Sequence, residues 1–283
     1  MKVIRPRTAL KKALQDFARR KETLGFVPTM GYLHEGHLSL VRHARKENDR
    51  VLVSIFVNPL QFGPKEDYAR YPRDTERDLK LLKKEGVDAV YLPDEKKFYG
   101  SGFETRVSVP GLSRPLCGVT RPAHFTGVAT VVIKLLNQVS PRALYLGQKD
   151  YQQCRVIERM AQDLDLPVEV RLCPTLREKD GLAMSSRNYH LDAQERMQAA
   201  YLNKALKEAE SLVRGGARSA EKVKAAMRKA LAGATRGRVD YAEIVDAATL
   251  EPVVQLRNGQ KIELAVAVFF SKTRLIDNRL LRV

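Results

Sequence analysis

Two histidines, separated by an acidic residue and a glycine, follow a short apolar segment near the start of the chain. Two glycines, Gly31 before the histidines and Gly36 between them, lack a Cβ and let the backbone approach a phosphate closely. The apolar run Leu38–Val41 that follows is typical of the first turns of a helix, whose N-terminus offers N–H groups and a positive dipole to an anion. The residue types therefore predict a nucleotide-binding turn, in which His34 and His37 donate hydrogen bonds to phosphate oxygens.

The two histidines allow two other interpretations. In metalloproteases a helical pair of histidines binds zinc, but His34 and His37 are three residues apart rather than four, with Gly36 between them. No third ligand follows nearby in the sequence, so we predict no protein metal site. The second alternative is structural, with both side chains doing no more than capping a helix. Phosphate binding is favoured over both.

Polar side chains that suit a substrate follow two further apolar segments. Asn58 and Gln61 lie in a loop bounded by proline and glycine, and their amides both donate and accept hydrogen bonds, as a hydroxy acid requires. Lys149 follows a later strand-like segment and can neutralise a phosphate. Gln153 lies near the start of the next helical pattern, where it can face the same cleft.

A second candidate phosphate site lies in the glycine-containing segment Lys179–Asn188. Its residues Met184–Arg187 combine two hydroxyls with a guanidinium, which can bind oxygens through two N–H groups at once. The functional interpretation is a mobile loop that brings charge over a leaving pyrophosphate. The alternative is an ordinary solvated loop.

Strand-like and helical patterns alternate through the first part of the chain. The strand candidates are Leu24–Pro28, Val51–Val57, Ala89–Leu92, Ala143–Leu146 and Val168–Leu172. The helix candidates are Leu38–Glu47, Arg73–Glu85, Thr126–Val139 and Tyr151–Leu164. Such alternation predicts an α/β fold with a doubly wound, Rossmann-like parallel sheet, in which ligands bind beyond the carboxyl ends of the strands.

The pattern changes in the last third of the chain. Helical periodicity dominates over Asp192–Leu231, and Glu195 has the spacing of a capping box with Asp192. Two apolar runs, Val239–Val245 and Ile262–Phe270, then predict strands. We therefore predict a nucleotide-binding domain over residues 1–175 and a smaller C-terminal α+β domain over residues 176–283, which carries the Met184–Arg187 loop at its start.

The composition excludes several classes of protein. The 283 residues, 44% of them hydrophobic, suffice for a real core, and no window approaches the ~20 apolar residues of a membrane helix. The N-terminal residues lack the apolar region of a signal peptide. The 3 cysteines lie far apart and outside CxxC pairs, which argues against a disulfide framework and for a reducing compartment. We expect a cytoplasmic protein that does not contact the membrane.

The charge balance permits a nucleic-acid partner. There are 50 basic residues against 33 acidic ones, a net charge of +17. The basic residues are spread through helical stretches rather than interleaved with aromatic residues, as is typical of a solvated surface. We therefore predict no nucleic-acid partner, with an RNA-binding module built on a nucleotide-binding fold as the alternative.

With these elements in this order, the chain resembles the pantothenate synthetases (pantoate–β-alanine ligases). This family belongs to the HxGH nucleotidyltransferases, which are related in fold to class I aminoacyl-tRNA synthetases. The resemblance covers nearly the whole chain, and the joint order of its motifs is more specific than any one of them. It is carried by Pro28–His37, Asn58–Phe62, Arg70–Asp74, Leu116–Gly118, Arg121–Phe125, Gly147–Gln153, Met184–Asn188 and Thr273–Asn278.

The resemblance implies a two-step ligation that consumes ATP, accompanied by Mg²⁺. The carboxylate of pantoate attacks the α-phosphorus of ATP, which gives an enzyme-bound pantoyl adenylate and pyrophosphate. The amine of β-alanine then displaces AMP and forms the amide of pantothenate. The resemblance also implies a homodimer. Another HxGH nucleotidyltransferase, one that keeps the nucleotidyl group on a phosphorylated acceptor, is the alternative.

The family pattern assigns roles to individual residues. It implies ATP contacts at Met30, Gly31, Tyr32, Leu33, His34, Glu35, Gly36, His37, Gly147, Gln148, Lys149, Asp150, Leu176, Met184, Ser185, Ser186 and Arg187. Among these, the catalytic donors are expected to be His34, His37, Lys149 and Arg187, with His37 as the proton donor. The expected substrate-binding amides are Gln61, Gln153 and Asn58.

Two positions depart from the family pattern. Position 148 is commonly Glu and is Gln148 here, which removes a negative charge beside Lys149. Position 123 is commonly Gly and is Ala123 here, so the backbone near His124 is expected to differ slightly. Neither position carries a residue expected to be essential.

Overall fold

The computed structural model of the chain describes residues 1–64 and 66–283. The chain forms two compact units. The first comprises Met1–Ser113, Thr120–Gln148 and Gln153–Pro174. The second comprises Arg114–Val119, Lys149–Gln152 and Thr175–Val283.

The first unit contains a six-stranded sheet in the order β1-β4-β3-β2-β5-β6, in which all paired strands run parallel. Its strands are β1 (Lys2–Ile4), β2 (Leu24–Thr29), β3 (Arg50–Ile55), β4 (Ala89–Tyr91), β5 (Ala143–Gly147) and β6 (Glu169–Cys173). The helices over the same part of the chain are α1 (Arg7–Arg19), α2 (Glu35–Glu47), α3 (Thr75–Lys84), α4 (Glu95–Phe98), α5 (Pro110–Ser113), α6 (Cys117–Thr120), α7 (His124–Val139) and α8 (Tyr151–Asp163).

The order of the strands places a topological switch point between β2 and β5. The chain runs outward from β2 through β3 to β4, then returns to the other side of β2 to form β5 and β6. In open α/β sheets ligands bind at such a point, beyond the carboxyl ends of the strands. The doubly wound parallel sheet predicted from the sequence is confirmed.

Some elements begin earlier than predicted or were not predicted at all. Helix α2 begins at Glu35 rather than Leu38, because the turn before it supplies side-chain caps. Strand β1 has only three residues, too few to show a period. In α1 only Leu10, Ala13 and Phe17 are buried, a narrow stripe among basic residues that gives a weak helical pattern.

The second unit contains an antiparallel sheet in the order β7-β8-β9. Its strands are β7 (Gly237–Asp246), β8 (Lys261–Phe270) and β9 (Thr273–Arg282), and its helices after residue 190 are α9 (Ala193–Ala199), α10 (Tyr201–Arg214) and α11 (Ala220–Leu231). Alternate residues of the central strand β8, from Ile262 to Phe270, share one core with Leu202 and Leu206 of α10. Asp192 and Glu195 form the predicted capping box of α9.

The opposite face of β8 buries a carboxyl group. The Glu263 side chain is 2% exposed, and its Oε2 has no hydrogen-bond partner in the described part of the chain. Burial penalises the charged form and raises the pKa of Glu263 to about 8. The folded protein therefore holds Glu263 protonated at neutral pH, whereas the unfolded chain ionises it near its ordinary pKa of about 4.5.

This raised pKa predicts a stability that falls with pH. Between about pH 4.5 and 8 the folded state binds the Glu263 proton and the unfolded state does not, so the free energy of unfolding decreases as pH rises. Glu263→Gln removes this dependence. We therefore expect the free energy of unfolding of the variant, minus that of the parent, to be roughly 2–4 kcal/mol larger at pH 8.5 than at pH 5. Urea unfolding at both pH values measures it, with Glu208→Gln on the exposed face of α10 as the control. A parent-to-variant difference that is the same at both pH values would contradict a buried neutral carboxyl.

Candidate active site

The turn after β2 is held in a left-handed conformation by a buried carboxylate. Gly31 has φ +84° and Tyr32 has φ +51°, a region that a non-glycine residue seldom occupies. The carboxylate oxygens of Asp78 accept hydrogen bonds from the backbone N–H groups of Tyr32 and Leu33, both at 2.7 Å. The Thr29 hydroxyl accepts a third from Gly31 N at 3.2 Å. These bonds fix the path of the backbone into α2.

Asp78, which holds the turn after β2, was not predicted as a functional residue from the sequence. Its side chain lies in the first turn of α3 and is 1% exposed. Burial raises the pKa of Asp78 above its ordinary value, and the two backbone N–H donors oppose that increase. A single aspartate on an amphipathic helix carries no sequence signal of a partner 45 residues away.

The two histidines cap α2 through one ring nitrogen each. Gly36 N donates to His34 Nδ1 at 3.1 Å, and His34 N donates to His37 Nδ1 at 3.3 Å, which completes a capping box. A ring nitrogen that accepts from a backbone N–H carries no proton, so each neutral ring bears its proton on Nε2. The ring centroids lie 4.1 Å apart. The capping and phosphate interpretations are therefore compatible, because capping uses Nδ1 and turns Nε2 into a hydrogen-bond donor.

A metal site of protein ligands is not found here. Across residues 1–64 and 66–283, no group of three or more His, Cys, Asp or Glu side chains is arranged to hold a metal ion.

The amides after β3 form a buried hydrogen-bonded pair. Asn58 Nδ2 donates to Gln61 Oε1 at 3.0 Å and to the backbone oxygen of Gly127 at 3.1 Å. Gln61 Nε2 in turn donates to Met30 Sδ at 3.0 Å, which joins this loop to the turn after β2. Asn58 is 1% exposed and Gln61 is 8% exposed. Asn58 thus supports Gln61, and Gln61 is the amide that reaches the turn.

Arg121 and His124 hold the backbone of Gln61 from the other side. The Gln61 carbonyl oxygen accepts hydrogen bonds from His124 Nδ1 at 2.9 Å and from Arg121 Nη2 at 3.3 Å. Arg121 also forms a two-bond ion pair with Glu66. Burial opposes ionisation of Glu66, but Arg121 holds the pKa of this carboxyl below its ordinary value. Ala123 directly precedes helix α7 and has φ −91°, a conformation open to any residue. The position therefore does not require glycine.

Three predicted site segments meet at the switch point of the first unit. The Met30–His37 turn follows β2, the Asn58–Gln61 loop follows β3, and Gly147 ends β5, which pairs with β2. Gln148 begins a short 3-10 turn directly after β5. Because parallel strands end at the same edge, these segments share one side of the sheet, as predicted. Gln153 lies on α8 and is half-buried.

Other predicted residues lie in the second unit, among them Lys149 and Asp150. The Lys149 backbone oxygen accepts a hydrogen bond from Asn278 Nδ2 at 2.8 Å, which fixes the start of this segment on β9. The Lys149 ammonium lies 3.7 Å from a carboxylate oxygen of Asp150.

The Met184–Arg187 loop also lies in the second unit and is anchored at both ends. Met184 N donates to the Leu176 carbonyl oxygen at 3.0 Å, so these two predicted ATP contacts are backbone neighbours. The Ser185 hydroxyl accepts from Arg187 N at 3.2 Å and caps a short 3-10 helix, Ser186–His190. At the far end, Asn188 Nδ2 donates to the Glu178 carboxylate at 2.9 Å. These hydrogen bonds anchor both ends of the loop.

The base of this loop rests on a buried ion pair. Arg177 donates two hydrogen bonds to the Asp277 carboxylate, at 2.6 and 2.9 Å, and a third to the Gly181 oxygen at 3.0 Å. The Asp277 side chain is fully buried. Arg177 was not singled out from the sequence, and Asp277 appeared only within the family motif Thr273–Asn278, because their separation of 100 residues conceals the pair.

Comparison with known proteins identifies the family. The sequence profile of the family described as Pantoate-beta-alanine ligase matches residues 2–280. The chain belongs to the pantoate-beta-alanine ligase family. The resemblance read from the motifs is thereby confirmed.

Similar proteins cover the chain end to end. It is 55% identical over 281 residues to pantothenate synthetase of Thermotoga neapolitana, which covers 99% of this chain and 100% of that protein. A crystal structure of pantothenate synthetase from Thermus thermophilus superposes with a TM-score of 0.93 at 47% identity, with 99% of both chains covered. The structure of a pantoate-beta-alanine ligase from Francisella tularensis, complexed with Beta-gamma ATP and Beta-alanine, superposes with a TM-score of 0.81 at 34% identity. The match covers 99% of this chain and 97% of that one.

The helices were also compared with the requirements of a membrane span. In the part of the chain that the structure describes, none of the helices has the length and apolar character needed to cross a bilayer.

Proposed function

We propose that this ligase condenses (R)-pantoate with β-alanine, using ATP, to form pantothenate, AMP and pyrophosphate. The observation that carries the proposal is the histidine pair at the switch point, whose Nδ1 atoms cap α2 and whose Nε2 atoms therefore carry the ring protons. Family membership over residues 2–280 supports it. The Francisella relative, described as a complex with an ATP compound and β-alanine, adds support for both substrates.

In the first step, the chain binds ATP and stabilises charge at its phosphates. The Met30–His37 turn is proposed to receive the nucleotide at the N-terminus of α2, where backbone N–H groups and the helix dipole attract anions. His34 and His37 then donate from Nε2 to oxygens that gain charge as the pantoate carboxylate attacks the α-phosphorus. A donor placed in this way is worth roughly 3 kcal/mol of transition-state stabilisation.

The amides are proposed to select and orient pantoate. Gln61, fixed by Asn58 and by two hydrogen bonds at its backbone oxygen, offers a rigid polar group for the hydroxyls or carboxylate of the acid. Gln153 is proposed to contact the same substrate from α8. Holding the acid and ATP in the reactive orientation lowers the activation barrier through effective molarity, by up to about 7–11 kcal/mol for an ideal arrangement.

Further ATP contacts are proposed on the family resemblance, and one of them is Gln148, where the family commonly has Glu. They are Gly147, Gln148, Lys149, Asp150, Leu176 and Met184–Arg187. Lys149 and Arg187 would balance the charge of the leaving pyrophosphate, and the loop would exclude water from the adenylate. In the second step the neutral amine of β-alanine attacks the acyl carbon, AMP leaves, and the amine loses a proton.

Magnesium is proposed to arrive with the nucleotide. Mg²⁺ keeps several waters and is commonly held by substrate phosphates with one or two carboxylates, so it does not require a cluster of protein ligands. The donors of the turn are neutral N–H groups, which fits a site where ATP phosphates bring their own cation. Bound there, Mg²⁺ would neutralise phosphate charge.

We further propose a cytoplasmic homodimer with domains over residues 1–175 and 176–283. These features follow the family resemblance and the sequence pattern, and each can be measured independently of activity.

The proposed function is tested by following AMP and pyrophosphate. With ATP, Mg²⁺ and pantoate alone, pyrophosphate exchange into ATP is expected without net AMP release; β-alanine should then release AMP in equal amount to amide. A nucleotidyltransferase of the alternative kind would form a stable nucleotidyl product and would not respond to β-alanine. That result would overturn the ligase assignment.

Gln61→Ala gives a sharper test of the substrate site. We expect the KM for pantoate to rise by at least tenfold, because a buried amide that hydrogen-bonds a substrate contributes about 1.5 kcal/mol or more, while the KM for ATP changes little. Steady-state kinetics with each substrate varied in turn measures the split. Gln138→Ala, an amide of α7 that accepts from the Tyr91 hydroxyl, is the control. An unchanged KM for pantoate would remove Gln61 from the site.

A further inference from the structure

We propose that Tyr99 is a positioning residue that, through Asn58, holds the Gln61 amide in place with its nitrogen toward the substrate. The inference rests on the proposed function, in which Gln61 contacts pantoate. The Tyr99 hydroxyl donates to Asn58 Oδ1 at 2.6 Å, and Asn58 Nδ2 donates to Gln61 Oε1 at 3.0 Å. Tyr99 is thus linked through Asn58 to the side-chain amide of Gln61.

The directions of these hydrogen bonds follow from two backbone groups. Leu60 N can only donate, and it contacts the Asn58 side-chain atom that therefore must be the oxygen. The Gly127 carbonyl can only accept, so the Asn58 atom that contacts it must be the nitrogen. With Asn58 fixed in this way, the Gln61 atom that faces it has to be the oxygen.

The orientation of Gln61 has a chemical consequence. With Oε1 committed to Asn58, the other end of the amide is Nε2, which donates to Met30 Sδ at 3.0 Å. Sulfur is a weak acceptor, so a substrate oxygen would readily replace it. Gln61 therefore presents N–H donors, suited to a carboxylate or hydroxyl oxygen, and an amide turned over would present an acceptor instead.

Tyr99 is itself held by a cluster of aromatic rings around a lysine. The Lys134 ammonium lies 4.9 Å from the Phe103 ring centroid, 5.4 Å from that of Phe98 and 6.0 Å from that of Tyr99. The Phe98 and Tyr99 centroids are 4.9 Å apart, edge to face. Cation–π contacts of this kind hold the rings together.

The backbone after Tyr99 would not keep this arrangement by itself. Gly100 and Gly102 have φ +51° and +77°, and glycine loses more conformational freedom on ordering than other residues. The Lys134 contacts therefore order a segment that its own sequence leaves free. They bring the Tyr99 hydroxyl to Asn58 Oδ1, where it adds a hydrogen bond to an amide that Leu60 N and the Gly127 carbonyl already orient.

The test is the kinetics of Tyr99→Phe in the full chain. This variant keeps the ring and its packing but removes the hydroxyl, so Asn58 loses a hydrogen bond at Oδ1 and holds the Gln61 amide less firmly, although Leu60 N and the Gly127 carbonyl still orient Asn58. We expect the KM for pantoate to rise about five- to tenfold with the KM for ATP unchanged. Combined with Gln61→Ala, the substitution should have no further effect, because the amide that it positions is absent. Lys134→Met, which keeps the apolar stem, should shift the KM for pantoate in the same direction.

Tyr91→Phe is the matched control. The Tyr91 hydroxyl donates to Gln138 Oε1 at 3.0 Å, so this variant removes a phenol–amide bond of the same kind from the same unit, and no change in KM is expected. If the parent is active and Tyr99→Phe leaves the KM for pantoate within twofold, or raises the KM for ATP equally, or adds its full effect to Gln61→Ala, the positioning role is overturned. If the parent forms no adenylate with pantoate, the proposed function fails, and this inference fails with it.

Discussion

His37→Ala is expected to lower the rate of pantoate-dependent pyrophosphate exchange by about 10²–10³-fold. The substitution removes the donor that we propose for the charge that builds on the ATP phosphates, and single donors of this type are worth roughly 2.7–4 kcal/mol. It also removes the Nδ1 acceptor of His34 N, so the cap of α2 is lost at a cost of about 0.5–2 kcal/mol of stability. Exchange rates and urea unfolding measure the two effects separately.

His37→Asn separates catalysis from capping. An asparagine oxygen can take the place of Nδ1 and accept from His34 N, but no atom takes the place of Nε2. We expect near-parental stability with the same loss of exchange as His37→Ala. His43→Ala, on the same helix beyond the turn, should leave the exchange rate unchanged. Near-parental exchange by His37→Asn would show that the histidine serves only as a cap.

Gly127→Ala is expected to lower kcat/KM for pantoate by about 10²-fold, since a displacement of about 1 Å at a positioned group costs that much. A Cβ at this position would lie 2.1 Å from the Leu60 carbonyl oxygen and 2.6 Å from Gln61 N. Helix α7 and the loop that carries Gln61 must therefore move apart. Overpacking of this kind also costs about 1–3 kcal/mol of stability. Kinetics with pantoate varied, together with urea unfolding, measures both.

The control for this prediction is Gly111→Ala. Among the described residues, apart from the chain next to Gly111, no heavy atom lies within 4 Å of where its Cβ would be, so the added methyl group should change neither kinetics nor stability by much. Asn58 and His124 bridge the same contact between the loop and α7 by side-chain bonds, which cannot form if the backbones separate. A Gly127→Ala variant with parental kcat/KM would mean that the loop tolerates the displacement.

Much of the fold could be predicted because it depends on local patterns. Strands such as β2 and β3 are mostly apolar, since a parallel sheet is buried on both faces, and the predicted and observed bounds differ by at most two residues. The Asp192 capping box also depends on residues only three apart. Elements with weak patterns, such as β1, could not be predicted, because a three-residue strand is defined by its neighbour β4 rather than by its own sequence.

The candidate site divides in the same way. The residues that would touch ATP or pantoate, such as His37 and Gln61, stand in short motifs whose types and spacing carry a chemical meaning. Those that hold them in place, such as Asp78 and Tyr99, lie tens of residues away and have no local signal. Their roles depend on hydrogen bonds that exist only after the chain has folded.

The sequence by itself determined the family and the alternating α/β order, and it singled out the turn for which phosphate binding is proposed. All three rest on local spacing, which survives in the linear chain. Only the tertiary structure decided that the histidines cap α2 through Nδ1 and so become Nε2 donors, and that Gln61 turns its nitrogen away from Asn58. The physical reason is that a hydrogen bond has a direction, and that direction is set by partners that folding brings together.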